Sequence, residues 1–236
     1  MNENYEIVMS ELALLGNERL KKNYLGQGAK EPLFGVATGA MKPLARKYKN
    51  NQELANELYG SGNYDAMYLA GMIADISRMT EANFDLWMEG AYFYMISDYI
   101  VAVTLAETAF AQRVADRYIE TGEELYASAG YSCYAWLLGN RKDEEFDQNK
   151  IDSMLKVAAD TIHHQPDRVK YAMNNFITAV GVSFLPSHDG AMTAANKVGT
   201  VEIEARGKPM ALSAASEIQK AIHKNRLGFK RKNVRC

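Results

Sequence analysis

The sequence predicts an all-α fold: a HEAT-like or armadillo-type α-solenoid, a superhelix of helix pairs, followed by a small β-hairpin, a last helix and a basic tail. Apolar residues recur with helical spacing along most of the 236-residue chain, and it contains only five prolines. The helical segments pair at intervals of roughly 35–45 residues, which is typical of α-solenoids. A helical bundle is the alternative that this periodicity leaves open.

The first half of the chain carries two apolar stripes. One begins at Tyr64, directly after Asn63, and asparagine favours the N-cap position of a helix. The other includes Phe110, Val114 and Tyr118, which are four residues apart and therefore lie on one helix face. Each stripe predicts an amphipathic helix with one buried side.

The most regular stripe lies in the second half. Six apolar residues share one face of a helix predicted over residues 147–164, with Asp147 as its N-cap. These residues are Ile151, Met154, Leu155, Ala158, Ala159 and Ile162. Pro166 then opens the next helix, predicted over residues 167–184, because proline suits the start of a helix.

Residues 198–212 break the helical pattern. β-branched residues alternate on either side of the Arg206–Gly207 pair, which predicts a small β-hairpin with its turn there. A last helix is predicted over residues 213–225. Since no linker or low-complexity segment interrupts the chain, we expect a helical-repeat domain over 1–198, with residues 199–236 packed on or extending it.

Composition and targeting signals indicate an ordinary globular protein of the cytoplasm. The chain is 47% hydrophobic and 24% charged, with a net charge of −2 at pH 7. Its two cysteines, Cys133 and Cys236, give no disulfide framework and are typical of a reducing compartment. The N-terminal residues are too polar for a signal peptide, and no apolar run approaches the roughly 18 residues that span a membrane. We expect no membrane partner.

Positive charge is concentrated in two places that suit contact with a polyanion. The last seventeen residues, 220–236, carry seven basic side chains and no acidic one. A glycine loop at 35–39 precedes a predicted helix with Lys42, Arg46 and Lys47, and backbone amides at such a position can approach phosphates. The loop lacks the ending of a P-loop, so contact with a nucleic-acid backbone is favoured over mononucleotide binding. The alternatives are a frayed terminus and an ordinary exposed helix face.

Few side chains indicate catalysis or metal binding. Asp98 follows an aromatic run, a setting that desolvates catalytic carboxylates and shifts their pKa. The same position suits an N-cap for a helix that begins at Tyr99. His163 and His164 are adjacent, so on a helix their side chains diverge and do not easily chelate one ion. We expect no metal and no cofactor.

Several runs resemble the AlkD-like DNA alkylation repair family, within the HEAT-like repeat DNA glycosylase superfamily. Residues 34–36 with 42–47, and the run 63–75, carry that resemblance. Residues 173–181 and the ending 226–236 are similar to a sub-branch that lacks the usual catalytic residues. The resemblance implies a HEAT-like solenoid whose basic concave face holds duplex DNA, and an enzyme that releases N3- and N7-alkylated purines.

The resemblance also implies which residues would carry the chemistry. Such a glycosylase needs an aspartate that stabilises the developing cationic sugar, with aromatic rings near the lesion. The best match of the family's catalytic stretch places Ser97 at its tryptophan and Val101 at its catalytic aspartate. Asp98 is then only the neighbouring carboxylate. Tyr24 matches a family tyrosine near the site.

These observations predict a DNA alkylation repair-family protein that binds damaged or branched DNA, with weak or absent N-glycosylase activity. Two alternatives stay open: an active alkylpurine glycosylase that uses Asp98, and a non-enzymatic HEAT-repeat scaffold that binds a protein partner. The predicted DNA contacts are Tyr24, Lys42, Arg46, Lys47, Arg226, Lys230, Arg231 and Lys232. The sequence leaves the lesion and the oligomeric state undetermined.

Overall fold

A computed structural model describes residues 3–205 and 207–235, which are helical apart from one β-hairpin. The contacts divide the described chain into two compact units, residues 3–110 with Arg235 and residues 111–234. The expected division into 1–198 and 199–236 stays a prediction. Arg206 of the predicted turn and Cys236 of the predicted tail lie outside the described residues.

The first unit is built from short helices. In chain order they are α1 (Glu3–Leu14), α2 (Glu18–Leu25), α3 (Thr38–Lys47), α4 (Gln52–Gly60), α5 (Tyr64–Ile73), α6 (Glu81–Glu89), α7 (Tyr94–Ile96) and α8 (Ala102–Leu105). A 3-10 turn, Ile76–Arg78, precedes α6, and a π-helical turn, Ser97–Val101, joins α7 to α8. Helix α5 is central, because α1, α3 and α4 all pack against it.

The second unit contains longer helices and the hairpin. Its elements are α9 (Ala111–Glu120), α10 (Glu124–Leu138), α11 (Gln148–Thr161), α12 (Asp167–Ser183), α13 (His188–Val198), β1 (Val201–Ala205), β2 (Lys208–Leu212) and α14 (Ala214–His223). Short 3-10 turns occur at Asp143–Glu145, Ile162–His164 and Leu185–Ser187. Helix α12 holds the unit together, since α10, α13, α14 and β1 all pack on it.

The predicted hairpin is confirmed. β1 and β2 pair antiparallel, with Val201 opposite Leu212 and Ala205 opposite Lys208. The side chains of β1 alternate: Val201 and Ile203 are buried against the helices, whereas Glu202 and Glu204 face solvent. The strand therefore contributes to the core of the second unit.

The helix starts follow the capping chemistry of the sequence. The Asn63 side chain accepts hydrogen bonds from two backbone amides of the first turn of α5, and Asp147 caps α11 by accepting one from the amide of Asn149. The all-α class is confirmed. None of the helices in the part of the chain that the structure describes has the length and apolar character needed to cross a lipid bilayer.

Candidate nucleic-acid interface

One buried carboxylate fixes the loop between α2 and α3. Asp65, near the start of α5, has no exposed surface. Its carboxylate oxygens accept backbone hydrogen bonds from Phe34 (2.5 Å), Gly35 (3.0 Å) and Val36 (2.8 Å). Burial raises the pKa of the Asp65 carboxyl, and these three hydrogen bonds oppose that rise because they stabilise the ionised form.

Gly35 brings this loop against the start of α2. Its φ is +78°, and a Cβ atom there would lie 2.4 Å from the Lys21 nitrogen and 2.6 Å from the Asn17 oxygen. No other residue type fits that position. The three amides of residues 34–36 are directed at Asp65 and are therefore not available to a phosphate. In this region, a phosphate can therefore be contacted only by side chains.

Those side chains form a concentrated positive region that we call the basic segment, residues 19–49. It carries eight basic residues and one acidic residue, Glu31. Lys21 pairs with Glu31 (2.9 Å), and Lys47 pairs with Glu11 of α1 (3.3 Å). Among the described residues, the following are exposed and have no acidic partner: Arg19, Lys22, Lys42, Arg46 and Lys49.

Sequence reasoning identified the part of the basic segment on α3 and missed the part on α2. Lys42, Arg46 and Lys47 were expected to contact phosphates, whereas Arg19 and Lys22 on α2 were not considered. A count of charge over windows of about 30 residues would have found the whole segment.

Tyr24 of α2 braces the same loop from the other side. It is half-buried, and its hydroxyl donates a hydrogen bond to the Val36 carbonyl (3.2 Å). Its ring forms a T-shaped contact with the ring of Tyr64, with 5.0 Å between the centroids. Burial raises the pKa of Tyr24. Its ring position is thus fixed within the basic segment, which is consistent with the predicted role beside DNA and leaves that role a prediction.

The stretch matched to the family's catalytic residues is buried. Ser97, Asp98 and Val101 lie in the π-helical turn and are 0%, 2% and 0% exposed. The Ser97 hydroxyl donates to the Asp98 carboxylate at 2.8 Å. The expected N-cap role of Asp98 is wrong, because the backbone before it is already helical and the turn runs on into α8.

The C-terminal tail is held in place, so the frayed-terminus alternative does not describe residues 224–235. Lys230 forms an ion pair with Asp143 (2.7 Å) and donates to the Leu138 carbonyl (2.8 Å). The Arg231 amide donates to the Gly139 carbonyl (2.8 Å), and its guanidinium lies 5.5 Å from the centre of the Trp136 ring. Lys230 and Arg231 were predicted to bind DNA, and both have intramolecular partners.

Arg235 belongs to the first unit and has its partners there. Arg235 pairs with Glu107 (2.8 Å) and donates to the carbonyls of Gly71 (2.8 Å) and Ala74 (3.1 Å). These carbonyls belong to the last turn and C-cap of α5, where a cation is favourable. Other tail cations are exposed without an acidic partner among the described residues: Lys224, Arg226 and Lys232.

The remaining chemistry is sparse. Residues 3–205 and 207–235 contain no group of three or more His, Cys, Asp and Glu residues arranged to hold a metal ion. Cys133 is buried in α10, and burial raises the pKa of its thiol, so it is an unreactive core residue. Two sets of exposed cations, one in the basic segment and one in the tail, are the features that could bind a ligand.

Comparison with known proteins identifies the family. The family of DNA alkylation repair enzymes matches residues 8–217. The chain belongs to that family. Two proteins from Listeria are similar to this chain. The uncharacterised protein Lin0241 of L. innocua serovar 6a is 28% identical over 199 residues, which are 82% of this chain and 86% of the relative. The uncharacterised protein Lmo0209 of L. monocytogenes serovar 1/2a is 27% identical over 199 residues, which are 82% of this chain and 86% of that relative.

A similar protein of solved structure confirms the HEAT-like fold. That protein represents "a new family of proteins related to the HEAT-like repeat DNA glycosylases with affinity for branched DNA structures". It is 58% identical, with a TM-score of 0.94, and the match covers 98% of this chain and 99% of that chain. The predicted solenoid class is therefore confirmed over the bundle alternative.

Proposed function

We propose that this family member binds branched DNA through phosphate contacts of its basic segment and does not excise alkylated bases. The observation that carries the proposal is the set of exposed cations without acidic partners on α2 and α3. In a chain with a net charge of −2, such a concentration confines phosphate contact to particular surfaces. The affinity of the 58%-identical relative for branched DNA supports the choice of ligand.

The buried π-helical turn supports the proposed lack of excision. The position matched to the catalytic aspartate is Val101, whose side chain cannot stabilise a cationic sugar. The neighbouring Asp98 is 2% exposed and accepts a hydrogen bond from Ser97. A carboxylate enclosed in this way does not contact a deoxyribose, which argues against the alternative of a glycosylase that uses Asp98.

The test is binding of a labelled four-way junction and a linear duplex across a salt series. Each neutralised phosphate contributes about −0.9 to the slope of log affinity against log salt. Lys42→Ala, Arg46→Ala and Lys49→Ala combined should therefore weaken that slope by up to about 3. The matched control removes three lysines that already have carboxylate partners: Lys156, Lys197 and Lys220.

The outcomes separate the competing functions. Equal losses in the two triple variants would show that overall charge, and not the basic segment, determines binding. An absence of junction binding by the wild-type protein at low salt would leave the protein-binding scaffold as the better account. Release of 7-methylguanine from alkylated DNA by the wild-type protein would overturn the proposed lack of excision.

A further inference from the structure

The tail displays an aromatic side chain that the fold does not bury. Phe229 is 63% exposed, whereas every other Phe, Tyr and Trp in residues 3–205 and 207–235 is buried or half-buried. Two exposed leucines accompany it, Leu185 (51%) and Leu227 (36%). Exposed apolar groups that are contiguous and bordered by polar residues mark interaction sites.

The backbone beneath Phe229 is fixed on both sides. The Gly228 amide donates to the Val182 carbonyl of α12 at 2.8 Å, and the Arg231 amide donates to the Gly139 carbonyl at 2.8 Å. Gly228 has a φ of +71°, and a Cβ atom there would lie 3.1 Å from a methyl group of Leu185. The tail thus packs closely on Leu185 through a glycine while the next side chain projects into solvent.

Several residues close to Phe229 in the sequence are cationic. Lys224, Arg226 and Lys232 are exposed, without an acidic partner among the described residues. The adjacent Lys230 is held by Asp143 and is not part of this set. An aromatic ring beside several unpaired cations is suited to nucleic acid, in which a base offers a flat π-face and the flanking phosphates offer negative charge.

We propose that Phe229 stacks on a base exposed at the branch point of DNA, with Lys224, Arg226 and Lys232 on the flanking phosphates. This inference rests on the proposed function. In a linear duplex every internal base is stacked between neighbours, whereas a branch point opens base faces that an aromatic side chain can cover. Phe229 then supplies the preference for branched over linear DNA.

The experiment compares Phe229→Ala with wild type on a four-way junction and on a duplex of the same length. Loss of one stacking contact should lower junction affinity by roughly five- to a hundredfold, and duplex affinity should change less than about twofold. Leu86→Ala is the control, since Leu86 is 62% exposed on α6. Equal melting temperatures of the three proteins would show that folding is unaffected.

A second variant reads the stacking directly. Phe229→Trp should retain junction affinity, and its added tryptophan emission, relative to wild type, should be quenched by the junction and not by the duplex. Unchanged junction affinity in Phe229→Ala, or an equal loss on both DNAs, would overturn the inference. Absence of DNA binding by the wild-type protein would instead refute the proposed function itself, and with it any role of Phe229 in DNA binding.

Discussion

Replacement of Asp65 tests how the basic segment is held. Asp65→Ala removes the acceptor for three backbone amides, and two of these, at Gly35 and Val36, belong to buried residues. An unsatisfied buried donor costs about 1–3 kcal/mol, so with two such donors the free energy of unfolding should fall by about 2–6 kcal/mol. In Asp65→Asn, the remaining side-chain oxygen can still accept hydrogen bonds from two of the amides. The NH₂ group replaces the acceptor of the third amide with a donor. Its loss should be about 1–3 kcal/mol.

The assay is urea unfolding followed by circular dichroism, with Asp75→Ala as the matched control. Asp75 also accepts a backbone hydrogen bond, from Ser77 at 3.1 Å, but it does so at a more exposed turn. Loss of such a cap costs about 1 kcal/mol. The expected order of destabilisation is therefore Asp65→Ala, then Asp65→Asn, then Asp75→Ala.

The reasoning would be refuted by an Asp65→Ala variant no less stable than Asp75→Ala. That result would mean that the loop amides find water or other acceptors at little cost. A second readout links the clamp to function, because α2 and α3 present the basic segment on either side of this loop. Under conditions in which Asp65→Asn remains folded, it should bind the four-way junction more weakly than Asp75→Ala does.

Three further perturbations follow from single contacts. Gly35→Ala should destabilise by about 1–3 kcal/mol more than Gly122→Ala in the same urea assay, because both have positive φ but only Gly35 lacks room for a Cβ atom. Arg235→Ala should lower the free energy of unfolding by about 1–3 kcal/mol and Arg235→Lys should recover only part of it, because lysine cannot reach Glu107 and both carbonyls together. Two lysines lower the pKa of Asp160 to about 2, so its contribution to stability is present above its ordinary pKa and lost as pH falls through about 2. Lys197→Ala should raise the titration midpoint of the Asp160 carboxyl measured by NMR, and an unchanged midpoint would contradict the pairing.

The features that the sequence predicted correctly depend on local chemistry. The helix predicted over 147–164 is α11, Gln148–Thr161, extended by a 3-10 turn, and Asp147 caps it as expected. The hairpin was visible because alternating β-branched residues and a glycine turn lie within fifteen residues of one another. Periodicity and capping act over one or two turns, so a single sequence contains the information.

The features that the sequence did not predict depend on distant partners. Asp65 meets the loop amides from 31 positions away, and Arg235 meets Glu107 from 128 positions away. No spacing rule connects such residues. The prediction for Asp98 failed for a related reason. A carboxylate before an apolar run is typical of an N-cap, and the sequence does not show that the backbone before Asp98 is already helical.

The tail shows why counts of charge overstate binding. Of its seven basic residues, Lys220, Lys230 and Arg235 pair with the carboxylates of Glu217, Asp143 and Glu107, and the ring of Trp136 lies beside Arg231. The exposed cations that remain, Lys224, Arg226 and Lys232, all lie within five positions of the exposed Phe229 in the sequence.

The basic segment shows the same pattern. Lys21 and Lys47 form ion pairs, whereas other cations of the segment are exposed and have no acidic partner among the described residues. The structure thus neutralises part of each positive cluster and leaves a smaller set of cations at defined positions. Those positions do not involve Val101, so the surface proposed to bind DNA is independent of the position matched to the family's catalytic aspartate. The proposed phosphate binding therefore does not require excision, and the two activities can be tested separately.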